Sequence, residues 1–549
     1  MKRFQGRSRF DLSVAFITGF LFLVCLNLGF AQAEPENSGK LNENYVPAEI
    51  LVRFQPEVTS GQAESIIEDY GCRVLKAIKP IKVYHLSIPE GIQVQEMVDI
   101  LKKDSRVKYA EPNHILEPSS IFGDIVRRLV EMFKTRFSDE NQTPDFGGNI
   151  QAPDNPNLPI VAVIDTGIDY NHPDFKGHIY INEDEIPGNG IDDDGNGYVD
   201  DFIGWNVSGN DNNPLDESGH GTHVSGIVLE ASQGNCQIMP IRASKTITWA
   251  FAKTSTFTDA DVAAAIIYAA DNGAKVINMS LGGTEHSETV QAAIDYAYEK
   301  GVVIIAAAGN DDTSRLHYPA AYEHVLSVGA VDGNGERADF SNYGYWVDIY
   351  APGVDINSTC MAGGYCDMSG TSMAAPYVAG IAAAIIAENP LLTPDEVYAL
   401  IQENADSFSG GPRPFLEMVM DAVAQILGGD PLYGGAGIIN PAATLAATPT
   451  VEETIIGLFR EGSGRDPTQD ELEYWARKAR SGEASRADIE QYISGLPQAG
   501  SNKQEDSTRD ADQENSPGNR ERKRNSGNSI SFSSQMRGPG SQRRQDRRF

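Results

Sequence analysis

The chain is poor in cysteine and in basic residues, and each shortage excludes a class of protein. Five cysteines in 549 residues exclude a small disulfide-stapled scaffold. Lysine and arginine total 44 against 77 acidic residues, which gives a formal net charge of -33. An acidic body repels a polyanion, so the main part of the protein is not expected to bind nucleic acid. The acidity itself is most simply explained by solubility.

The first 33 residues have the pattern of a secretory signal. A basic start is followed by a mostly apolar run over residues 12–30, and Ala31-Gln-Ala33 fits a cleavage site with small residues. We therefore expect residues 1–33 to be removed during export. The alternative is an uncleaved membrane anchor, because the apolar run is close to the length that spans a bilayer. Either outcome places the protein outside the cytoplasm, secreted or in the cell envelope.

Three segments supply an aspartate, a histidine and a serine in that order. Asp165 ends a short apolar run typical of a buried parallel strand, where ligands and chemistry gather in open α/β sheets. His220 lies in the glycine-flanked segment 218–226, at the predicted start of a helix. Ser372 follows Gly370 and opens a helix of small residues, where free N–H groups favour developing negative charge. Alone, this serine could simply cap the helix, but the other two residues suggest a base and its orienting carboxylate.

A fourth segment ends in Gly309-Asn310, after an apolar run over residues 302–308. A side-chain amide at a strand end can donate a hydrogen bond to the oxyanion of a tetrahedral intermediate. Together the four segments resemble the subtilisin-like serine proteases (subtilases). The resemblance implies a three-layer α/β/α fold with a mainly parallel sheet over residues 159–447. It also implies a catalytic role for Asp165, His220, Ser372 and Asn310.

The segment Ser280-Leu281-Gly282-Gly283 resembles the subtilase strand that pairs with an extended substrate. Glycines suit this task because an added peptide strand needs close backbone approach. His317 is expected near the floor of the neighbouring pocket. Asp311 or Asp312 could draw basic substrates, a hypothesis that cleavage-site profiling would test.

Residues 45–115 alternate strands and helices in the order strand–helix–strand–strand–helix–strand, which predicts a small ferredoxin-like α+β unit. Its last strand, Val107–Asn113, is expected to be an edge strand halted by Pro112. The unit resembles subtilase propeptides, which implies an intramolecular chaperone and inhibitor that the enzyme removes itself; the alternative is an unrelated binding domain. Residues 116–158 are then a linker that contains the maturation site, with a predicted helix near 125–133.

An acidic loop between Asp192 and Asp201 predicts a calcium site. Oxygen-bearing residues alternate along it and a glycine is sixth, as the calcium-loop rule requires. The candidate ligands are Asp192, Asp194, Asn196, the carbonyl of Tyr198, and Asp200 or Asp201. The alternative is a solvated acidic turn.

The remaining features lie toward the C-terminus. Cys360 and Cys366 flank a glycine-rich turn and are expected to form a disulfide in an exported protein. Residues 411–432 are expected to be a small insertion. Residues 451–496 resemble a small helical domain of exported bacterial proteins. Residues 497–549 have little apolar content and a basic end, which predicts a disordered tail. This C-terminal region could associate with anionic cell-surface polymers, or the tail could be a solvated segment lost to proteolysis.

The expected function is that of a secreted serine endopeptidase made as a self-processing zymogen. Its partners would be protein or peptide substrates and its own propeptide. Two alternatives stay open. One is a catalytically silent surface or binding protein that keeps the fold, and the other is a processing protease with few substrates, because specificity depends on loop shapes that the motifs do not encode.

Overall fold

Two seven-stranded sheets and the helices around them make up most of the described chain. The structure is a computed structural model that describes residues 44–119, 151, 153, 155–249, 252–407 and 435–496. The predicted signal, the helix expected near 125–133, the insertion at 411–432 and the tail at 497–549 lie outside the described residues. What the sequence suggests for those segments therefore stays a prediction.

The N-terminal unit, residues 44–119, has four strands in the antiparallel order β2-β3-β1-β4 with two helices on one face. This is the ferredoxin-like arrangement that the sequence predicts. Its apolar side chains form a core of their own. The elements are β1 (Tyr45–Phe54), α1 (Ser60–Asp69), β2 (Arg73–Ile78), β3 (Val83–Ser87), α2 (Val94–Leu101) and β4 (Val107–Pro118).

The prediction that Pro112 halts the last strand is wrong. Strand β4 continues to Pro118 and pairs with β1 only up to about Pro112, apart from one contact further on. Beyond that point it pairs with the central unit instead, first with the strand that ends at Thr258 and then with Leu281-Gly282. Proline is tolerated because it lacks only the N–H donor. Beyond Pro112 the strand pairs along the edge that does not face β1. The N-terminal unit is thereby joined to the central unit by a continuous strand.

The central unit, residues 155–447 where described, is built on the parallel sheet β14-β13-β12-β10-β5-β7-β6. All pairs in this sheet are parallel. The strands are β5 (Ile160–Asp165), β6 (Trp205–Asn206), β7 (Gln237–Arg242), β10 (Val276–Met279), β12 (Val303–Ala307), β13 (Leu326–Val331) and β14 (Ile349–Pro352). The hairpin of β8 (Lys245–Trp249) and β9 (Ala252–Thr258), together with β11 (Leu281–Gly282), extends β4, whereas β15 (Ile356–Cys360) and β16 (Gly364–Met368) form a separate hairpin.

Helices cover both faces of the parallel sheet, which confirms the three-layer fold. Along β5, Val161 and Val163 belong to one apolar cluster, and Ala162 and Ile164 to the other. The period of two puts successive side chains on opposite faces, and both faces are buried. The helices of this unit are α3 (His220–Ala231), α4 (Asp259–Asp271), α5 (Glu288–Glu299), α6 (Thr371–Glu388), α7 (Pro394–Glu403) and α8 (Pro441–Ala447).

Helix α6 is long and apolar enough to cross a membrane by length and composition, but most of it is buried inside the protein. It is therefore the core helix of the central unit. The hairpin that precedes it is closed by a disulfide between Cys360 and Cys366, as the sequence predicts. Cys72 and Cys236 are free and buried.

The C-terminal unit, residues 451–496, consists of three helices, α9 (Val451–Ser463), α10 (Gln469–Arg480) and α11 (Arg486–Ser494). Each helix begins with a capping box, in which a Ser or Thr and an acidic residue satisfy each other's free N–H groups. The unit packs its apolar side chains around Leu391 of the central unit. Arg486 also lies 2.8 Å from the carboxylate of Glu396.

Candidate active site

Asp165 lies at the carboxyl end of β5 and is fully buried. Its Oδ1 accepts the backbone N–H of Thr166 at 2.7 Å and lies 2.7 Å from Nδ1 of His220. Because a carboxylate can only accept, Nδ1 of His220 carries the proton. The imidazole is thereby held with Nε2 free of hydrogen, which is the tautomer that can take up a proton.

His220 is the first residue of α3, and a carboxylate that the sequence analysis does not name holds the turn before it. Asp216 accepts the N–H groups of Ser218, Gly219 and Thr222, and also the hydroxyls of Thr222 and Thr166. Asp216 lies three residues before the N-cap Gly219. An acidic residue so close to the free N–H groups of a helix start is the sequence signal that indicates its role.

Gly221 lets the helix come close to β5. A Cβ at this position would collide with the carbonyl oxygen of Gly167 and would lie 3.1 Å from Cβ of Asp165. The glycine therefore allows the histidine and the aspartate to reach hydrogen-bond distance.

Ser372 is buried at the start of α6. Its Oγ lies 2.5 Å from the carbonyl oxygen of Ser119 and 3.1 Å from that of Ser280. The hydroxyl of Ser280 in turn donates to the carbonyl of Ser372 at 3.0 Å. The serine thus faces a carbonyl group at the end of β4.

Asn310 lies just beyond β12, with its side-chain amide held in one orientation. Its Oδ1 accepts the N–H and the hydroxyl of Thr371 at 2.9 and 3.0 Å. Its Nδ2 is therefore turned toward the carbonyl oxygen of Ser119, to which it donates a hydrogen bond. One carbonyl oxygen is contacted by both Ser372 and Asn310.

The segment that ends at Ser119 lies along the site as an extended strand. Gly282 pairs with Glu117 and Leu281 with Pro118 in an antiparallel register, and the N–H of Ser119 donates to the carbonyl of Ser280 at 3.2 Å. Residues 280–282 of the predicted substrate-binding segment therefore already hold a peptide strand, which is the chain's own. Gly283 packs beside this strand, since a Cβ there would lie 3.1 Å from Leu116.

The four predicted catalytic residues form one hydrogen-bonded pair and one pair that shares an acceptor. Asp165 contacts His220, while Ser372 and Asn310 share the carbonyl of Ser119. Within the described part of the chain, Nε2 of His220 has no hydrogen-bond partner. The Ser372 hydroxyl is turned to the two carbonyl oxygens.

A second cluster of carboxylates lies in the acidic loop. One oxygen each from Glu185, Asp194 and Asp201 lies within 4.8 Å of the others. Asn182 donates to both Asp194 and Asp201 at 3.0 and 3.1 Å. Burial raises the pKa of the Asp201 carboxyl to about 6, against the hydrogen bonds that it accepts from Tyr268 and two asparagines.

The other predicted ligands of this loop make side-chain contacts of their own. The carboxylate of Asp200 accepts the N–H groups of residues 189 and 190, both at 2.9 Å. Asn196 donates to Asp194 and Asp201, and the ring of Tyr198 packs on the aromatic rings of residues 205 and 268. Asp192 accepts the N–H of Gly197 with one oxygen. The structure therefore brings Asp194 and Asp201 together with Glu185, which the sequence analysis does not name because it precedes the loop.

The oxygen atoms of this loop suit a hard divalent cation. The remaining oxygen of Asp192 and one oxygen of Glu185 are buried and have no hydrogen-bond partner among the described residues. Carboxylates that converge in this way repel each other unless a cation or a proton lies between them. Oxygen donors of this kind fit calcium better than a softer metal.

Comparison with known proteins agrees with this geometry. The sequence profile of the subtilase family matches residues 157–428, and the profile of the fervidolysin N-terminal prodomain matches residues 31–113. A thermophilic serine proteinase of Bacillus sp. strain AK1 is 35% identical over 375 residues, which cover 67% of this chain and 84% of that protein. The chain belongs to the subtilase family. This subtilase is therefore a serine endopeptidase with an N-terminal prodomain.

Other relatives show how far the similarity extends. Thermitase of Thermoactinomyces vulgaris is 38% identical over 253 residues, which cover 46% of this subtilase and 82% of thermitase. The crystal structure of fervidolysin from Fervidobacterium pennivorans, described as a keratinolytic enzyme related to subtilisin, superimposes with a TM-score of 0.54 at 27% identity. That match covers 75% of this subtilase and 63% of the fervidolysin chain. The N-terminal unit is thus the prodomain of this subtilase.

Proposed function

We propose that this protein is a secreted, self-processing subtilase zymogen that cleaves its own Ser119–Ser120 bond through Asp165, His220 and Ser372. The observation that carries the proposal is the carbonyl oxygen of Ser119, which accepts hydrogen bonds from both Ser372 and Asn310. A nucleophile and an oxyanion donor that meet at one carbonyl identify the bond to be broken. The bond lies inside the linker 116–158, where the sequence predicts maturation.

The chemistry follows from these positions. The hydroxyl hydrogen of Ser372 turns from the carbonyl oxygens of Ser119 and Ser280 to His220, and Oγ attacks the carbonyl carbon of Ser119 while its proton passes to Nε2 of His220. The carbonyl electron pair moves onto the oxygen, which Asn310 and the N–H of Ser372 stabilise. Asp165 keeps the imidazole in the required tautomer and stabilises its positive charge.

The tetrahedral intermediate then collapses. The electron pair on oxygen re-forms the carbonyl, the C–N bond to Ser120 breaks, and His220 gives its proton to the departing amine. Water attacks the resulting ester in the same way, losing a proton to His220, and the ester bond to Ser372 breaks as the hydroxyl regains that proton. The products are a prodomain that ends at Ser119 and an enzyme that begins at Ser120.

The same cleft serves other substrates once the prodomain leaves. Ser280, Leu281 and Gly282 would pair with an extended peptide as they pair with residues 117–119 here, and Gly283 would lie beside it. The prodomain is therefore an inhibitor that occupies the substrate strand position, and protein or peptide substrates compete with it.

Calcium is proposed as a structural ion in the acidic loop. Glu185, Asp194 and Asp201 would supply carboxylate oxygens, and Asp192 could add its unpartnered oxygen. Bound calcium would neutralise the carboxylates and fix the loop. Asn196, Tyr198 and Asp200 stay predicted ligands or supports of this loop.

Export is part of the same proposal. The predicted signal at residues 1–33 and the disulfide between Cys360 and Cys366 both suit an oxidising compartment outside the cytoplasm. A relative named cell wall-associated protease, from Bacillus subtilis strain 168, is 36% identical over 326 residues, although this chain covers only 34% of that protein. Association of residues 451–549 with the cell surface stays a prediction.

The test is to express the full chain with and without Ser372→Ala, and to determine the intact mass and the N-terminal sequence after export. We expect the wild type to begin at Ser120 and the variant to keep residues 45–119. The exposed Ser105 provides a matched control, since Ser105→Ala removes a hydroxyl on the prodomain surface and should be processed normally. Intact wild type without casein hydrolysis, or equal trimming of Ser372→Ala, would contradict the proposal.

A further inference from the structure

His317 is a buried polar side chain without a hydrogen-bond partner in the part of the chain that the structure describes. It is 8% exposed, and neither ring nitrogen has a hydrogen-bond partner among the described residues. Most buried polar side chains in folded proteins are hydrogen-bonded, so such an exception calls for an explanation. The roles assigned above to Asp165, His220, Ser372 and Asn310 do not involve this ring.

The ring of His317 lies between two glycines of the active site. A Cβ added to Gly282 would collide with Nε2 of His317, and a Cβ added to Gly309 would lie 3.0 Å from two carbons of the ring. Gly282 belongs to the strand that pairs with residue 117, and Gly309 directly precedes Asn310. The imidazole therefore contacts both the segment 280–283 and the segment 309–310.

The backbone of Ser119 is hydrogen-bonded to these same two segments. Its N–H donates to Ser280 on one side, and its carbonyl accepts from Asn310 on the other. The residue is only 6% exposed, and its buried hydroxyl has no hydrogen-bond partner within the described ranges. A buried serine hydroxyl and a buried imidazole, neither with a hydrogen-bond partner among the described residues, thus lie against the same two segments.

We propose that His317 closes the pocket for the side chain that precedes the scissile bond, and selects small residues there, above all serine. This inference rests on the proposed proteolytic function and names the substrate class of the same site. A large side chain would have to displace a ring packed on backbone at both sides, and backbone yields little. A serine hydroxyl is small and could use a nitrogen of the imidazole as its hydrogen-bond partner.

Charge supports the same preference. Burial lowers the pKa of His317 to about 4, against the opposing effect of Asp311, so the ring is neutral at physiological pH. A neutral imidazole has one donor and one acceptor, and a hydroxyl can serve either. Asp312, one of the two carboxylates considered for attracting basic substrates, lies 2.9 Å from the guanidinium of Arg337. Its charge is therefore already paired.

The test measures kcat/KM of the mature enzyme on quenched peptides with the chain's own sequence, Ile-Leu-Glu-Pro-X-Ser. The residue X is Ser, Ala, Phe or Arg. We expect the wild type to cleave after Ser and Ala roughly 10- to 200-fold faster than after Phe or Arg. His317→Gly should raise cleavage after Phe at least about tenfold and change cleavage after Ala less than about threefold, because it only deepens the pocket.

An exposed histidine gives the matched control. His286→Gly should leave all four rates in their wild-type ratios, because His286 is exposed and packs on Tyr318 and Tyr322. Should His317→Gly fail to fold, His317→Ala and the wild-type profile still decide the question.

Two results would overturn the inference. One is wild-type cleavage after Phe or Arg as fast as after Ser, and the other is an unchanged Phe-to-Ala ratio in folded His317→Gly. In both cases hydrolysis of casein by the same preparation leaves the proposed proteolytic function standing. Hydrolysis of neither casein nor any peptide refutes the proteolytic function, and this inference with it.

Discussion

The buried carboxylate of Glu111, in the prodomain, contacts the first turn of α5 in the central unit. It accepts the hydroxyl of Ser287 at 3.0 Å and the N–H groups of Glu288 and Thr289 at 2.9 and 3.0 Å. These N–H groups have no partner within α5, and the positive end of the helix dipole favours an anion there. Glu111 is 7% exposed, so water screens these bonds little. The contact should dominate the affinity of the cleaved prodomain.

The magnitude follows from the geometry. Glu111→Ala removes the acceptor of three hydrogen bonds between the prodomain and α5. In the dissociated prodomain water bonds to the Glu111 carboxylate, so only part of the energy of these bonds counts toward binding. Truncating one partner of a buried, hydrogen-bonded charged contact typically costs about 2–5 kcal/mol of binding free energy. The inhibition constant of the prodomain should therefore rise about 30- to 4,000-fold.

The assay measures inhibition of casein hydrolysis by mature enzyme when a prodomain fragment, residues 34–119, is added. Glu117 lies on the same strand but is exposed, so Glu117→Ala should change the inhibition constant less than about threefold. Circular dichroism of both fragments with excess enzyme controls for folding. An inhibition constant for Glu111→Ala within threefold of wild type would refute the reasoning that the helix contact holds the prodomain.

Three further predictions concern catalysis, pH and calcium. Asn310→Ala should lower kcat of the mature enzyme by about 10²–10³ with little change in KM, and an unchanged kcat would remove it from the oxyanion site. In the prodomain complex, burial lowers the pKa of His114 but the hydrogen bond and charge of Asp259, 2.8 Å away, outweigh burial and raise it. The complex thus favours protonated His114, whose contribution is complete below the free pKa of about 6.5 and is lost as the pH rises through the bound pKa. Prodomain inhibition should weaken from pH 5.5 to 8, less steeply in His114→Gln; equal slopes would count against the pair. Chelation of calcium should lower the melting temperature of an inactive variant by about 5 °C. This loss should shrink in Glu185→Gln but not in Glu183→Gln, whose side chain is exposed; equal losses in all three would place the ion elsewhere.

The family and the fold could be predicted because they depend on short-range patterns. The continuous apolar run of β5, the glycines around His220 and the small residues after Ser372 each indicate a local structure, and their order along the chain indicates the family. The disulfide between Cys360 and Cys366 is likewise local, since the two residues are close in sequence. The ferredoxin-like prodomain follows from its strand and helix order alone.

The path of the chain into the active site could not be predicted in this way. Pro112 suggests the end of a strand, because proline lacks an N–H for the ladder. Strand β4 nevertheless continues, since beyond Pro112 it pairs with β9 and β11, which come from distant parts of the sequence. The same pairing delivers the carbonyl of Ser119 to Ser372. A linker without a clear motif thereby acquires a definite candidate for the cleaved bond.

In the acidic loop, too, the sequence predicts the kind of site but not all of its residues. Its spacing indicates a cation site and includes Asp194 and Asp201, but the sequence cannot tell that the side chain of Asp200 is directed to backbone N–H groups. Nor does it indicate Glu185, which lies before the loop and meets it only because the chain folds back. The ligand set depends on side-chain directions, and a regular spacing fixes these only for a loop of standard shape.

Residue type and local spacing in the sequence were enough to predict a nucleophile, a base and an oxyanion donor. They did not determine what these residues touch. Only the tertiary structure placed Ser119 against Ser372 and Asn310, Glu111 against the start of α5, and His317 between two glycines. Apart from the contact of His317 with nearby Gly309, each of these contacts joins residues far apart in sequence. Contacts of this kind are decided by the packing of whole elements, and no local pattern encodes them.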